Sequence, residues 1–436
     1  MSSSCTSGAV CTHPAHLLVK PTGPDCNLRC QYCFYLEKHA LFEDEQRCRM
    51  SDDVLEQYIR SYVHSQPARE IDFAWQGGEP TLMGLDFFKR AVALEKHYGA
   101  NRTIRNSLQT NGTLLDDDWC EFLAKEGFLV GISMDGPEAI HNRYRTTVDG
   151  RGSWADVDRG VKLMRKHGVE FNVLSCVTRE SAYEGKEIYR FLRDYGFEFI
   201  QFIPIVEREP DERSESLGLD LSSPPRLDDD AEGPGVMPFT VEPLQYGQFL
   251  VDVFDEWVRR DVGKVFVNHF DCALGAFYGS QPSLCIYAKT CGASLALEHD
   301  GTVYACDHFV YPQYARGNIM RQDMAGLLSN NPQQTFGMSK WLDLPRCCRE
   351  CDVLAACHGG CLKHRFARSS DDEPGLNYLC PGYKLFFRHV RPSMLKMAEL
   401  LRAERPAADI MQSFPKTSPT PSSRNQAKAK RRKRKR

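Results

Sequence analysis

The sequence has no apolar run approaching 18 residues, and it lacks an N-terminal basic segment followed by a hydrophobic stretch. These absences indicate neither membrane insertion nor export, so we expect a cytoplasmic protein. No G-x-G-x-x-G string follows the first strand-like run, which argues against a dinucleotide site. The chain is instead long and rich in cysteine, with 436 residues, 42% of them hydrophobic, and 18 cysteines. In a long chain without an export signal, so many cysteines indicate metal rather than disulfides.

Charge is distributed unevenly along the chain. The net charge is −3, yet residues 424–436 hold nine Lys and Arg and no acid, which leaves the remainder at −12. A basic block of this kind predicts a disordered tail, and the alternative is contact with nucleic acid or an anionic surface. No aromatic or folded motif accompanies the block, so we expect neither a nucleic-acid nor a membrane partner.

Three cysteines near the N-terminus, Cys26, Cys30 and Cys33, form a C-x3-C-x2-C string. Cubane clusters are ordinarily held by four cysteines, so three thiolates can bind three irons of a [4Fe–4S] cube and leave the fourth iron open. A zinc site or a disulfide pair is the alternative, but zinc usually takes four protein ligands, or three that include His or a carboxylate. The aromatic residues interleaved with these cysteines are also atypical of a zinc site.

Strand-like and helix-like runs alternate after the cysteine loop. Strands are predicted at 17–20, 71–75, 105–109, 130–134, 171–177 and 199–206, and helices at 51–65, 85–98, 116–126, 154–167 and 184–195. Such alternation favours a parallel sheet with right-handed crossovers. We therefore predict an α/β fold whose six strands form an open, partial (β/α)6 barrel, with ligands at the carboxyl ends of the strands.

The second predicted strand runs into Gln76-Gly77-Gly78-Glu79-Pro80. The C-x3-C-x2-C and G-G-E-P strings together resemble the radical S-adenosylmethionine superfamily. This resemblance implies a cluster whose open iron binds the methionine amino and carboxylate groups, followed by reductive cleavage to a 5′-deoxyadenosyl radical. In that superfamily the G-G-E-P segment holds the amino group through backbone oxygens and a carboxylate. The implied nucleotide contacts are Tyr32, Gly77, Ser133, Arg145 and Val206.

Nine further cysteines lie between residues 285 and 380. Their spacing, Cys348-x2-Cys351-x5-Cys357-x3-Cys361 followed by a distant Cys380, resembles the SPASM extension, which carries two auxiliary [4Fe–4S] clusters. The resemblance implies two ligand sets, one of Cys285, Cys291, Cys306 and Cys361 and the other of Cys348, Cys351, Cys357 and Cys380. The x2 spacing favours Cys348 over its neighbour Cys347. Two four-cysteine zinc sites are the alternative.

The chain divides into five predicted segments. These are an N-terminal extension (1–16), the barrel (17–240) with an acidic flexible insertion (207–235), a helical connector (241–284), a cysteine-rich SPASM-type iron–sulfur domain (285–391), and a C-terminal helix with the basic tail (392–436). The connector contains a predicted helix from Pro243 to Arg260, with Leu244 on its apolar face, and a hairpin is predicted from Ser294 to Cys306. The cysteines without ligand spacing are predicted to be buried small residues or free thiols; they are Cys5, Cys11, Cys48, Cys120, Cys176 and Cys272.

Two strings in the second cysteine region, Cys306-Asp307-His308-Phe309-Val310 and Arg316-Gly317-Asn318-Ile319, resemble the anaerobic sulfatase-maturating enzymes. The resemblance implies oxidation of a Cys or Ser, within a C/S-x-P/A-x-R signature of an unfolded sulfatase, to Cα-formylglycine. It also implies that Asp307 is the catalytic base. His308 is a rival base with a better placed ordinary pKa, and the structural alternative is that Asp307 caps a loop.

The expected partners are an unfolded sulfatase polypeptide and an electron donor such as ferredoxin or flavodoxin. The enzyme itself is expected to be a monomer. One alternative is a SPASM-type peptide maturase that forms thioether crosslinks. Such enzymes often carry an N-terminal peptide-recognition domain, and about 16 residues before the first predicted strand are too few for one. The other alternative is a zinc-stabilised nucleic-acid-binding protein.

Overall fold

The computed structural model describes residues 15–42, 47–226 and 235–415, so the predictions for the N-terminal extension, Cys5, Cys11 and the basic tail fall outside it. The strands are β1 (His16–Lys20), β2 (Glu70–Trp75), β3 (Thr103–Thr110), β4 (Leu129–Ser133), β5 (Glu170–Val177), β6 (Phe199–Pro204), β7 (Phe266–Val267), β8 (Ser294–Glu298), β9 (Thr302–Tyr304) and β10 (Ala315–Asn318). The helices are α1 (Asp52–Ser65), α2 (Leu85–Tyr98), α3 (Asp117–Lys125), α4 (Glu138–His141), α5 (Trp154–His167), α6 (Gly185–Asp194), α7 (Glu212–Glu215), α8 (Pro243–Arg260), α9 (Asn268–Tyr278), α10 (Met324–Ser329), α11 (Asn331–Leu342), α12 (Arg346–Arg349), α13 (Leu354–Cys357) and α14 (Cys380–Arg402).

The strands of the described residues form one sheet in the order β10-β9-β8-β1-β2-β3-β4-β5-β6-β7. From β8 through β7 every pairing is parallel, and β9 and β10 add antiparallel strands at one edge. The six predicted barrel strands are confirmed as β1 to β6. The five predicted intervening helices are confirmed as α1, α2, α3, α5 and α6. The expected α/β partial barrel is therefore present, extended at both edges.

Local sequence explains the first crossover. Ser51 accepts a hydrogen bond from the Val54 N–H at 3.3 Å, and two aspartates follow in the first turn of α1, where the helix dipole favours negative charge. The buried face of α1 places Tyr58 edge-on against Phe73 and Trp75 of β2. Burying each such aromatic side chain contributes about 1.5–3 kcal/mol. This packing fixes α1 on the outer side of the sheet.

The predicted hairpin is confirmed as β8 and β9, and it continues the barrel sheet. β8 lies parallel to β1, with Lys20 opposite Glu298. We expected a cysteine-rich domain separated from the barrel by a connector. The sheet instead runs without a break from the barrel into this hairpin, because the edge of β1 satisfies its backbone hydrogen bonds by pairing with β8. Residues after the hairpin are thereby held beside the end of β1.

Helix α8 has the predicted bounds, but two expectations about the helical region are wrong. Leu244 is 61% exposed, because it shares a helix face with Gln248 and Asp255 rather than with the buried residues. The predicted boundary at 391/392 falls inside α14, a continuous helix from Cys380 to Arg402. α14 packs closely on α8, where a Cβ added to Gly247 would lie 2.5 Å from the Gly382 oxygen. The predicted boundary therefore cuts through one continuous helix.

The acidic stretch was expected to be a mobile insertion, and residues 207–226 do not have that structure. Glu207 is 5% exposed and forms an ion pair with Lys363. Asp211 caps α7 by accepting a hydrogen bond from the Ser214 N–H at 2.8 Å. The pairing of Glu207 and the cap at Asp211 hold this part of the stretch against the body; residues 227–234 lie outside the described part.

The expectation of buried or free thiols holds for four of the cysteines without ligand spacing. Cys48, Cys120, Cys176 and Cys272 are buried and form no disulfide bond. Within the described ranges no helix is long and apolar enough to cross a membrane.

Candidate active site

The first three cysteines lie on a loop that follows β1 and is tied to the segment after β4. The Arg29 N–H donates to the Thr146 oxygen at 2.7 Å, and the Gln31 N–H donates to the Tyr144 oxygen at 3.1 Å. The Cys26 sulfur accepts hydrogen bonds from the Leu28 N–H at 3.4 Å and from the Asn111 amide at 3.7 Å. Such donors favour a thiolate over a thiol. The loop is therefore preshaped by backbone contacts to long-range partners.

The three thiols are neighbours and are suited to a metal. Burial, with Glu79 as the next cause, raises the pKa of Cys26 to about 12. Burial also raises the pKa of Cys30, and the nearby Cys33 and Cys26 contribute to the increase. The pKa of Cys33 is raised by burial as well. Three buried thiols at such close range ionise only when a cation compensates their charge. Cys26, Cys30 and Cys33 therefore fit the iron of a cluster that leaves one iron without a protein ligand.

The G-G-E-P segment is hydrogen-bonded to the residues just before Cys26. The Gly78 N–H donates to the Gly23 oxygen and the Glu79 N–H donates to the Asp25 oxygen, both at 2.7 Å. A Cβ on Gly78 would lie 2.0 Å from the Asp25 oxygen, so only glycine allows this approach. Gly77 has a φ of +142°, which also favours glycine.

The Glu79 carboxylate is occupied by the protein itself. It accepts hydrogen bonds from the Thr81 N–H and hydroxyl at 3.0 and 2.6 Å, from the Thr110 hydroxyl at 2.7 Å and from the Asn111 N–H at 2.7 Å. Glu79 is 1% exposed. Its carboxylate thus fastens the end of β2 to the end of β3.

The structure brings together Tyr32 and Arg145 of the predicted nucleotide site. The Tyr32 hydroxyl donates to Asp135 at 2.5 Å, and Arg145 Nε donates to the same carboxylate oxygen at 3.0 Å. The second Asp135 oxygen accepts from the Cys176 N–H at 3.0 Å. Asp135 therefore organises the pair. No local sequence pattern indicates this role for Asp135, because its partners come from distant parts of the chain.

The other three predicted nucleotide residues lie at strand ends. Gly77 follows β2, Ser133 ends β4 and Val206 comes shortly after β6. Ser133 accepts a hydrogen bond from the Gln109 amide at 3.2 Å, and Val206 is 2% exposed. Because these strands are parallel, all three residues lie at the carboxyl edge of the sheet, where ligands of such folds bind.

The second cysteine region separates into the two predicted groups. Cys361 raises the pKa values of Cys285, Cys291 and Cys306, after burial as the main cause, although it lies far from all three in sequence. The loop that carries Cys285 is held by Lys340, whose ammonium donates to the oxygens of Cys285 at 2.8 Å and Ile286 at 3.0 Å. Four thiols that interact around Cys361, three of them in half-buried residues and one in the exposed Cys285, fit a closed cluster with four protein ligands.

The other group lines a small cavity. Its wall includes the four predicted ligands Cys348, Cys351, Cys357 and Cys380, together with Lys384 and Asn377. Cys347 is not part of that wall. Burial, and then Cys347 and Cys380, raise the pKa of Cys348 to about 12. This placement favours Cys348 as the ligand, as the spacing predicts.

Asp307 lies next to Cys306 and is bound by a lysine from the first strand. The Lys20 ammonium is 2.5 Å from the Asp307 carboxylate, and the two side chains are 2% and 13% exposed. Burial alone would raise the pKa of Asp307, but Lys20, with His308 and Lys363, holds it below its usual value. No sequence pattern indicates this pair, because 286 residues separate the two partners along the chain.

The surroundings of His308 make it a weaker base than a free histidine. Its ring packs 5.0 Å from that of Phe34, and burial, followed by the charge of Lys363, lowers its pKa to about 4. The expectation that its pKa is better placed for a base is therefore wrong. Asp307 is the ionised group at this position near neutral pH.

Two protein-family models match this chain, one over each cysteine region. A model described as the radical SAM superfamily matches residues 21–192, and one described as an iron–sulfur cluster-binding domain, SPASM, matches residues 285–352. The serine-type anaerobic sulfatase-maturating enzyme of Bacteroides thetaiotaomicron is 44% identical over 94% of this chain and 97% of its own length. The cysteine-type enzyme of Clostridium perfringens is 35% identical over 89% and 100%.

A solved structure agrees with these relatives. It is described as native anSMEcpe with bound AdoMet and Cp18Cys peptide, and it aligns with a TM-score of 0.76 at 33% identity over 89% of this chain and 99% of its own. Two domain models in the expected order, full-length relatives and a shared fold all lead to one assignment. The chain belongs to the anaerobic sulfatase-maturating enzymes of the radical SAM superfamily.

Proposed function

We propose that this enzyme oxidises a serine or cysteine of a sulfatase signature to Cα-formylglycine, with S-adenosylmethionine and three [4Fe–4S] clusters as cofactors. The observation that carries the proposal is the position of Asp307. This carboxylate follows Cys306 directly and is held by Lys20 at the end of β1, on the edge of the sheet that carries the first cysteine loop. The full-length relatives bear the names of serine-type and cysteine-type enzymes of this reaction.

The residues fit the cofactors by their chemistry. Cys26, Cys30 and Cys33 would hold the first cluster, and the two sets of four described above would hold the auxiliary clusters. When bound, these groups supply a 5′-deoxyadenosyl radical to remove hydrogen from the substrate Cβ and acceptors for the electron released afterwards. Tyr32 and Arg145 would hold the nucleotide-bound methionine, with Asp135 fixing both side chains.

The part of the reaction left to the protein is proton removal and exclusion of water. Forming the C=O or C=S bond requires loss of the hydroxyl or thiol proton, and Asp307 would accept it directly or through one water. Its carboxylate is buried and ionised, so it is available as an acceptor without first losing a proton. Phe34 and His308 pack together beside it and would keep solvent from the reacting carbon.

The proposed reaction also requires a reducing partner and a reducing compartment. Each turnover needs an electron at low potential, which a ferredoxin or flavodoxin supplies. Sixteen cysteines of the described residues are free, as expected in a reducing compartment such as the cytoplasm.

The experiment is anaerobic incubation of the reconstituted enzyme with a sulfatase-signature peptide and S-adenosylmethionine, followed by mass spectrometry. The wild type should form formylglycine. The Asp307→Asn variant should retain its iron and produce 5′-deoxyadenosine, while formylglycine falls by roughly 10² to 10⁴. The matched control is His308→Ala, which should stay within about tenfold of the wild type. Near-normal formylglycine from Asp307→Asn with loss in His308→Ala would transfer the role to the histidine, and stoichiometric zinc without iron would end the proposal.

A further inference from the structure

Lys20 is a buried cation between two carboxylates. It is 1% exposed, its ammonium lies 2.5 Å from Asp307, and Glu298 is its partner across the β1–β8 pair. The same ammonium lies 3.8 Å from the centre of the Tyr35 ring. The Tyr35 hydroxyl in turn donates to Glu298. Burying an ammonium is costly unless charges and hydrogen bonds compensate it, and Asp307 and the Tyr35 ring compensate Lys20 here.

Glu298 has a second cationic neighbour. The His299 ring nitrogen lies 3.5 Å from the carboxylate. Burial lowers the pKa of His299, but hydrogen bonds with Cys48 and Glu298 outweigh burial and raise it to about 10. Acidic and basic side chains thus alternate in the order Asp307, Lys20, Glu298 and His299. The carboxylate that Lys20 contacts directly is that of Asp307.

We propose that Lys20 is a positioning residue for the reaction, which fixes the Asp307 carboxylate against the substrate, while Glu298 and Tyr35 fix Lys20. This inference rests on the role proposed above for Asp307. An aspartate after a short loop has two side-chain torsions to restrain, and a 1 Å misplacement of a reacting group can cost about 10²-fold in rate. A lysine from the rigid end of β1 supplies the restraint that the loop lacks.

A second buried lysine provides the matched control. Lys38 is also 1% exposed, pairs with Glu37 at 3.2 Å and lies 3.6 Å from the centre of the Tyr311 ring. Like Lys20, Lys38 is thus a buried ammonium with one carboxylate and one aromatic ring beside it, but its carboxylate partner is Glu37 and not Asp307. Loss of a buried ammonium as such should affect both positions alike.

The test compares Lys20→Met with Lys38→Met in the reconstituted holoenzyme. For Lys20→Met we expect full iron, normal 5′-deoxyadenosine formation without peptide, a peptide KM within about threefold, and a formylglycine kcat lowered by roughly 10 to 10². Less formylglycine should form for each 5′-deoxyadenosine, because abstraction continues while the later step is slowed. Lys38→Met should keep its kcat within about threefold.

A double variant separates positioning from a structural role. If Lys20 acts through Asp307, Lys20→Met in the Asp307→Asn background should lower kcat no further than Asp307→Asn alone. Multiplied losses, an unchanged kcat in Lys20→Met, or a change in KM only would overturn the inference. If Lys20→Met loses iron, Glu298→Gln takes its place, with a smaller kcat loss and the same lack of additivity expected.

The outcomes also distinguish this inference from the proposed function. Absence of formylglycine from the wild type would refute the proposed function. Near-normal product from Asp307→Asn would remove the base on which the inference rests. A large loss in Asp307→Asn with none in Lys20→Met would refute the role of Lys20 alone.

Discussion

Replacement of Gly78 by alanine should detach the first cysteine loop from the barrel. The added Cβ would lie 2.0 Å from the Asp25 oxygen and 2.6 Å from the Pro24 oxygen, whereas such contacts need more than 3 Å. The two backbones must therefore separate by about 1 Å, which breaks the hydrogen bonds that Gly78 and Glu79 donate at 2.7 Å. Two lost bonds cost about 1–3 kcal/mol, and overpacking adds about 1–3 kcal/mol. A local penalty of this size is enough to displace Cys26.

The assay is iron and sulfide per chain after anaerobic reconstitution, together with 5′-deoxyadenosine formation. The wild type should bind about 12 Fe on its ligand count, and Gly78→Ala about 8 Fe, with no cleavage of S-adenosylmethionine. Gly168→Ala is the control, because its Cβ would meet no atom within 4 Å and its left-handed backbone, with a φ of +69°, costs about 1–2 kcal/mol. A Gly78→Ala enzyme with about 12 Fe and normal cleavage would refute the reasoning, as would equal losses in the control.

Two further predictions concern the second cysteine region and the barrel core. Cys348→Ala should lose about 4 Fe per chain while Cys347→Ala keeps the full amount, and the reverse result would make Cys347 the ligand. Burial raises the pKa of Glu95 from 4.5 to about 7, so the folded state favours its neutral form; stability falls as the pH rises from the lower value to the higher one and is constant above it. Relative to Glu95→Gln, the holoenzyme should lose up to about 3 kcal/mol between pH 4.5 and 8, seen as a change in the Tm difference; a constant difference would contradict it.

The sequence by itself determined the elements of the barrel and predicted which cysteines would hold metal. Periods of 2 and 3.6 residues located β1 to β6 and their helices, because these patterns depend only on which face of an element is buried. The cysteine spacings indicated clusters because ligands on one loop must lie a few residues apart. The G-G-E-P string was informative because the close approach of two backbones at Gly78 requires glycine.

Only the tertiary structure decided how these pieces meet. The pairing of β8 with β1 and the packing of residues 207–226 depend on contacts between distant segments, which leave no periodic trace in either partner. The ion pair of Lys20 with Asp307 and the organising role of Asp135 are of the same kind. A lysine at the end of a strand is ordinary in sequence, and it gains a function only when the fold buries it beside a carboxylate from a distant segment.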